Sequence, residues 1–337
     1  MSTFIKIAWR NIIRNTKRTS ITIIALSFGL SALIFIWAFV EGAHQQMIDN
    51  FTSLMTNHIR ITGKGFHEKE QLEIFVENPT DVITKIKQKD PSIAASPRIK
   101  AFALASSAES SKGIMILGIN PSLEQNISRL HKSLSEGSYL TDEDKRKIVV
   151  GESIARNLNL RVGEKIVLMS QALDGSMAAD SFIISGLMST GIAEIDQGLA
   201  MIHYDAAAEL FLMTDKASEI ALQLDSYEKA PFLANEIQNE FSNSEFEIMT
   251  WDQVSPDFKQ WIEFDNAFVW IIIIIVMIVI AVGILNTILM GVLERTKEFG
   301  ILLALGTRPA EIVCMVTWES IFLGLIGCAT GLFIGTV

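Results

Sequence analysis

The sequence predicts an α-helical membrane protein with a large extracytoplasmic α+β domain. Three observations predict it. Ser20–Val40 and Ala267–Val292 carry no charged residue, and Ile312–Val337 carries one, Glu319. Charge is distributed unevenly: 1–19 holds five basic residues and no acid, whereas 41–266 holds 20 basic against 34 acidic residues. Between the first two apolar windows, short extended runs alternate with helical periodicity.

Each window has the roughly 20 residues that a helix needs to cross a bilayer core of about 30 Å. Three of them in a 337-residue chain that is 49% hydrophobic make buried core helices a poor explanation. Basic residues next to a span stay in the cytoplasm, and long domains cross largely regardless of charge. The N-terminus and the 293–311 segment are therefore expected inside, and 41–266 outside. Three spans put Val337 on the outer side. The first window is too long for a cleaved leader's apolar core and no clear A-x-A site follows it, so it reads as a retained anchor.

Residues 1–19 precede the first span. Phe4, Ile5, Ala8, Trp9, Ile12 and Ile13 fall on one helical face, and Lys6, Arg10, Arg14 and Lys17 on the other. Such a helix lies at the membrane surface with its cations near anionic headgroups; an ordinary positive flank is the plainer alternative. After the span, Ala43 to about Asn57 reads as partly helical. Two strand–helix–strand units follow. The first is 58–63, 80–89 and 98–104; the second is 219–224, 227–241 and 245–250. The insert between them, 106–215, is mostly strand signal, with short helices at 152–160 and 205–213 and turns expected at Gly113, Gly118, Gly151, Gly163, Gly186 and Gly191. Residues 252–265 run into the second span without a flexible linker. The exported segment has no cysteine. Cys314 and Cys328 lie about 21 Å apart along the last span and cannot pair within it.

Catalytic and nucleotide-binding motifs are missing. There is no G-x-x-x-x-G-K-[ST], no G-x-S-x-G and no H-E-x-x-H. His44, His58, His67, His131 and His203 stand singly, which suits surface positions better than metal ligation. The glycine pair at 63–66 suits a turn better than a phosphate cradle. The acidic domain disfavours nucleic acid, whose phosphates it would repel. The chain therefore reads as a non-enzyme with no metal or cofactor of its own.

Polar groups within the spans are few. Glu319 lies about 12 Å along the helix from Glu311. It is either a buried contact that couples helices, with Asn286 or Thr287 across the bundle, or a carboxylate that reaches the interface or stays protonated. Gly327, Gly331 and Gly335 repeat every four residues, a spacing that lets helices approach closely. Between the last two windows, "LERTKEFGILLALG" reads as a short cytoplasmic helix. Leu293, Phe299, Leu302 and Leu303 would line its apolar face, with Phe299 as the anchor for a partner.

"ERTKEFGILLALGTRPAEI" at 294–312 resembles the segment that follows the second span of the FtsX-like permeases of ABC transporters, a family that includes MacB-type and lipoprotein-releasing LolC/LolE-type proteins. "LGINPSLE" at 117–124, "GESIARNLNLRVGEKIVL" at 151–168 and "ISGLMSTGIAEIDQGLAMI" at 184–202 are similar as well. The resemblance implies a multi-pass inner-membrane permease subunit with a periplasmic domain. The strand–helix–strand pair (41–105 and 216–266) would be porter-like and the insert (106–215) sabre-like. Glu294, Arg295, Lys297, Glu298, Phe299 and Gly300 would form a coupling helix docked on a separate cytoplasmic ATPase, which uses ATP and Mg. Mechanotransmission to the periplasmic domain, a second permease (identical or paralogous), lipoprotein cargo and a periplasmic acceptor follow from the same resemblance. So does lipoprotein release as the leading function. MacB-like efflux of a drug, peptide or toxin is the alternative within the class, and a scaffold that activates a cell-wall hydrolase the alternative outside it. The family has four spans, so the complete product is expected to be longer than this sequence.

Overall fold

The computed structural model describes residues 2–14, 16–241 and 245–336. They form two compact units, 1–46 with 260–337, and 47–259.

Three long helices dominate the first unit: Thr16–Phe51, Pro256–Glu294 and Pro309–Gly335. The first two each contain a predicted window whole and the third contains its window up to Gly335, and all three are apolar and long enough to cross a membrane. The first absorbs both the predicted span and most of the helical segment expected after it. Val337, the predicted end of the third span, lies outside the described residues. Most apolar side chains of the second helix, such as Ile274, Ile275 and Ile278, face outward, as lipid-facing residues do. The third helix starts where its sequence dictates. Pro309 occupies the first turn, where no N–H is needed, and Glu311 accepts a hydrogen bond from Arg308 N at 2.9 Å.

The first long helix packs against both others. A Cβ on Gly29 would lie 2.8 Å from Ile280 Cδ1, and Trp37 meets Trp270 edge-on at 5.3 Å. On its other side stand Gly327, Gly331 and Gly335. A Cβ on these would lie 2.7 Å from Leu26, 3.0 Å from Leu30 and 3.0 Å from Ile34. The predicted small-residue stripe is thus a packing seam with the first span. The N-terminal helix Ser2–Arg14 buries Ile12 and sets Trp9 edge-on to Phe322 at 5.7 Å, while Lys6, Arg10 and Arg14 stay exposed. The side chains of Phe4, Ile5 and Ala8, predicted for its apolar face, lie outside the described residues.

Among the described residues, the second unit is built on twelve strands. The first six are β1 (Ile59–Gly63), β2 (Val76–Glu77), β3 (Ala94–Ser106), β4 (Ser111–Ile119), β5 (Leu134–Gly137) and β6 (Lys147–Gly151). The rest are β7 (Lys165–Gln171), β8 (Met177–Met188), β9 (Leu199–His203), β10 (Lys216–Ala217), β11 (Glu219–Gln223) and β12 (Phe246–Thr250). Both predicted strand–helix–strand units exist, and their strands interleave in the order β12-β1-β11-β3, all antiparallel. Helices Pro79–Lys89 and Ala230–Glu240 bury Val82, Ile86, Ala234 and Ile237 against Ile59, Ile61, Ile220 and Leu222 of the strands.

The insert is not a separate sheet. Strand β3 runs on to Ser106 and pairs with β4 along most of its length and with β7 at its end. The pairings β4–β9, β9–β6, β6–β8 and β8–β7 then return to β3, closing a six-stranded ring. Odd residues of β3, such as Ile99 and Ala101, point inward with Ile116, Phe182 and Ile202; even residues point out. Of the six predicted glycine turns, only Gly163 (φ +91°) and Gly191 (φ +80°) hold a left-handed turn conformation. Gly113, Gly118 and Gly186 lie within strands and Gly151 at a strand end. Gly118 is required by a close approach, since a Cβ there would lie 2.3 Å from Ala207 Cβ.

Candidate functional site

The second long helix ends at Glu294 because Arg295 leaves helical geometry (φ −101°, ψ 11°). A short helix, Thr296–Ala304, follows, and Gly306 (φ +92°) turns the chain toward Pro309. The predicted coupling helix over 293–311 is therefore shorter, and two of its predicted residues lie outside it. Glu294 is the exposed last residue of the preceding helix. Arg295 turns inward, and its NH1 donates to Glu319 Oε2 at 2.9 Å with both side chains buried. Burying either charge alone is costly, so the pair fixes the register of the break against the third helix.

Glu319 pairs with Arg295, and Thr287, one of its two predicted partners, lines the same crevice. Asn286 is exposed on the outer face of its helix, and Thr287 Oγ1 donates to Gly283 O of its own helix at 2.9 Å. Thr22, Ser320 and Phe299 line the crevice beside the ion pair. Phe299, predicted as the docking anchor, is half-buried there; Leu302, on the same helix, is half-buried as well. Lys297, Glu298 and Gly300 are exposed, with Leu293 and Leu303. Ile301 and Leu305 are 62% and 79% exposed and were not singled out. The i, i+4 spacing of Lys297, Ile301 and Leu305 is the sequence signal that identifies this outer face. Arg14 of the N-terminal helix reaches Glu298 at 3.2 Å in an exposed pair.

A second cluster lies in the strand-rich unit. Arg98 donates to both Glu124 oxygens and, at 3.2 Å, to Glu219 Oε1. Lys100 Nζ sits 2.8 Å and Arg60 NH1 3.5 Å from Glu219 Oε2. Burial by itself would raise the Glu219 carboxyl, but Lys100, Arg60 and Arg98 outweigh it and hold the pKa at about 2. Lys100 moves the other way: burial lowers it, and Glu219 offsets this only in part because Arg60 and Arg98 repel it. Three cations against two carboxylates account for both directions.

The histidines are not a surface scatter. His44, His58 and His203 are buried. His44 Nε2 lies 2.7 Å from Asp265 Oδ2, His58 Nδ1 accepts from Leu224 N, and His203 Nδ1 accepts from Asp205 N. Among the described residues no cluster of His, Cys, Asp and Glu is disposed to hold a metal ion. Gly65 (φ +82°) makes the glycine pair at 63–66 a turn.

A model of the MacB-like periplasmic core domain matches residues 19–240, and one of the FtsX-like permease C-terminal region matches 270–337. The chain is 22% identical over 95% of its length to the lipoprotein-releasing system transmembrane protein LolC of Neisseria meningitidis, and spans 76% of that protein. It is also 22% identical over 96% of its length to the macrolide export ATP-binding/permease protein MacB of Aggregatibacter actinomycetemcomitans, of which it spans 51%. Among solved structures, the periplasmic region of MacB from Actinobacillus actinomycetemcomitans aligns with 65% of this chain and 98% of its own, at 18% identity and a TM-score of 0.44.

Proposed function

We propose, from the premise that the chain belongs to the family of ABC transporter permeases with a MacB-like periplasmic core and an FtsX-like C-terminal region, that it couples a separate cytoplasmic ATPase to movement of its extracytoplasmic domain. Lipoprotein release from the inner membrane is the task this reading favours, on the similarity to LolC over most of both chains. The ATP and Mg belong to the partner.

The observation that carries the coupling role is the short helix Thr296–Ala304. Its inner side places Phe299 beside the Arg295–Glu319 pair and half-buries Leu302, and its outer side offers Lys297, Ile301 and Leu305. Exposed aliphatic side chains beside charges on a short helix suit a groove in a soluble partner. The helix is braced on one face and open on the other, so a push from a docked ATPase would pass to the second and third long helices without loss in a loose loop.

The test is co-purification in mild detergent of the tagged chain and of its Ile301→Asp variant. Ile301 is outward-facing, so the charge leaves the bundle intact. Phe299→Asp would instead disturb the packing around Arg295. An ATP-binding protein that accompanies the wild type and is lost from the equally stable variant supports the reading. A chain that keeps its unfolding temperature and brings no ATPase overturns it. Stimulation of the complex by an acylated lipoprotein, and not by a soluble peptide, selects release over MacB-like export; the reverse response selects export.

A further inference from the structure

The outer surface of the six-stranded ring carries an unusual face. Even residues of β3 point outward, and register puts Lys100 opposite Leu117, Phe102 opposite Met115 and Leu104 opposite Gly113. Phe102 and Leu104 are 59% and 41% exposed, and Val167 of the adjoining β7 is exposed too. At the upstream end this apolar strip deepens into a cavity of about 370 Å³. That volume falls at the lower end of small-ligand sites. Met115, Leu117, Leu130, Ile195 and Leu199 form its walls, with Lys100 and Arg98 on the floor.

The floor is electrostatically incomplete. Each of the three Arg98 guanidinium nitrogens already donates to Glu124 or Glu219. The Lys100 ammonium has three donors, and Glu219 is its one partner among the described residues. The cluster holds buried Arg60 and Arg98 and half-buried Lys100 against Glu124 and Glu219, one positive charge in excess. Glu194, also at the cavity, is exposed to water at the rim. A single negative charge placed beside Lys100 would balance the cluster and take up its remaining N–H groups.

We infer that this cavity binds a single-chain fatty carboxylate, its headgroup on Lys100 and its acyl chain leaving along Phe102 and Leu104. The excess of one charge matches a monoanion, and the strip beyond the cavity matches a chain too long to be enclosed. The walls supply no array of hydrogen-bonding groups for a sugar or peptide. The site lies within residues 47–259, so it stands whether or not an ATPase docks on the other unit.

Photolabelling of the full chain in lipid nanodiscs tests this. The probes are a palmitic-length fatty acid with a diazirine at mid-chain and the corresponding fatty alcohol with the same label. Adducts mapped by peptide mass spectrometry should include Phe102–Leu104 or Gly113–Leu117 for the acid, and be about tenfold fewer there for the alcohol and in Lys100→Met, as loss of a charged hydrogen bond predicts. Adducts in 267–292 report membrane partitioning and should not differ. If Lys100→Met fails to fold, Met115→Trp, which fills the cavity and leaves the charges in place, should remove the same adducts. Adducts confined to the spans, equal labelling by acid and alcohol, or undiminished labelling of Met115→Trp would each overturn the proposal.

Discussion

Glu219 is the residue on which the strand-rich unit's charge balance turns. Its carboxyl is held at about 2 against an ordinary 4.5. A lowered carboxyl favours the fold above the unfolded value, and the benefit is lost as pH falls through the folded one. Stability should therefore decline between about pH 4.5 and 2, read by thermal unfolding of the full chain, and Glu219→Gln should flatten that decline. The variant should also lose about 3–5 kcal/mol near neutrality, because Lys100, Arg60 and Arg98 keep their charges with one partner gone. A variant that unfolds along the wild-type pH curve would refute the assignment. None of this was legible in the sequence. Glu219 lies 121 residues from Arg98, and a long-range ion pair has no periodic or spacing signal. The same holds for Arg295, which shares "ERTKE" with true surface residues and differs from them only in facing Glu319, 24 positions on.

At the scale of elements, local signals read well and pairings did not. Uncharged windows located the long helices, and extended β-rich runs flanking helical periodicity located β1, β3, β11 and β12 within a few residues, because such signals are local to each element. Closure of the ring through β7 depends on a meeting of Leu104 with Met169 that no local pattern announces. Gly118 in β4 and Gly186 in β8 looked like turns for the same reason: close approach by another element also demands glycine. The Gly327/Gly331/Gly335 stripe was legible as a seam, though not its partner, the first long helix. That seam makes a prediction. Gly331→Leu would put a side chain where a Cβ alone lies 3.0 Å from Leu30 Cβ and from Ser27 O, and should destabilise the bundle by about 1–3 kcal/mol. Gly324→Leu on the same helix meets nothing within 4 Å and should be neutral. Thermal unfolding of both in mild detergent separates them; since leucine is the better helix former, an equal loss would mean that added bulk anywhere on this helix, and not the seam, sets the cost.

For the whole molecule the governing asymmetry is charge. The five basic residues ahead of the first span have no acidic counterpart, whereas 41–266 has 34 acids. Basic flanks are retained on the cytoplasmic side by the rule that orients most spans, and the rule counts Lys and Arg near the span, not net charge. It therefore predicts that 1–19 and 296–304 share the cytoplasmic face and that the strand-rich unit faces away from it. Single-cysteine variants check this in a background where Cys314 and Cys328 are replaced by serine. Ala108→Cys, in an exposed turn between β3 and β4, should react with a membrane-impermeant maleimide in intact spheroplasts. Lys6→Cys and Lys297→Cys, both at exposed positions, should react only after permeabilisation. Labelling of Lys297→Cys from outside would remove the short helix from the reach of any cytoplasmic ATPase. It would undo the coupling proposal even with the fold intact, because a helix on the outer side has no nucleotide-driven partner to dock.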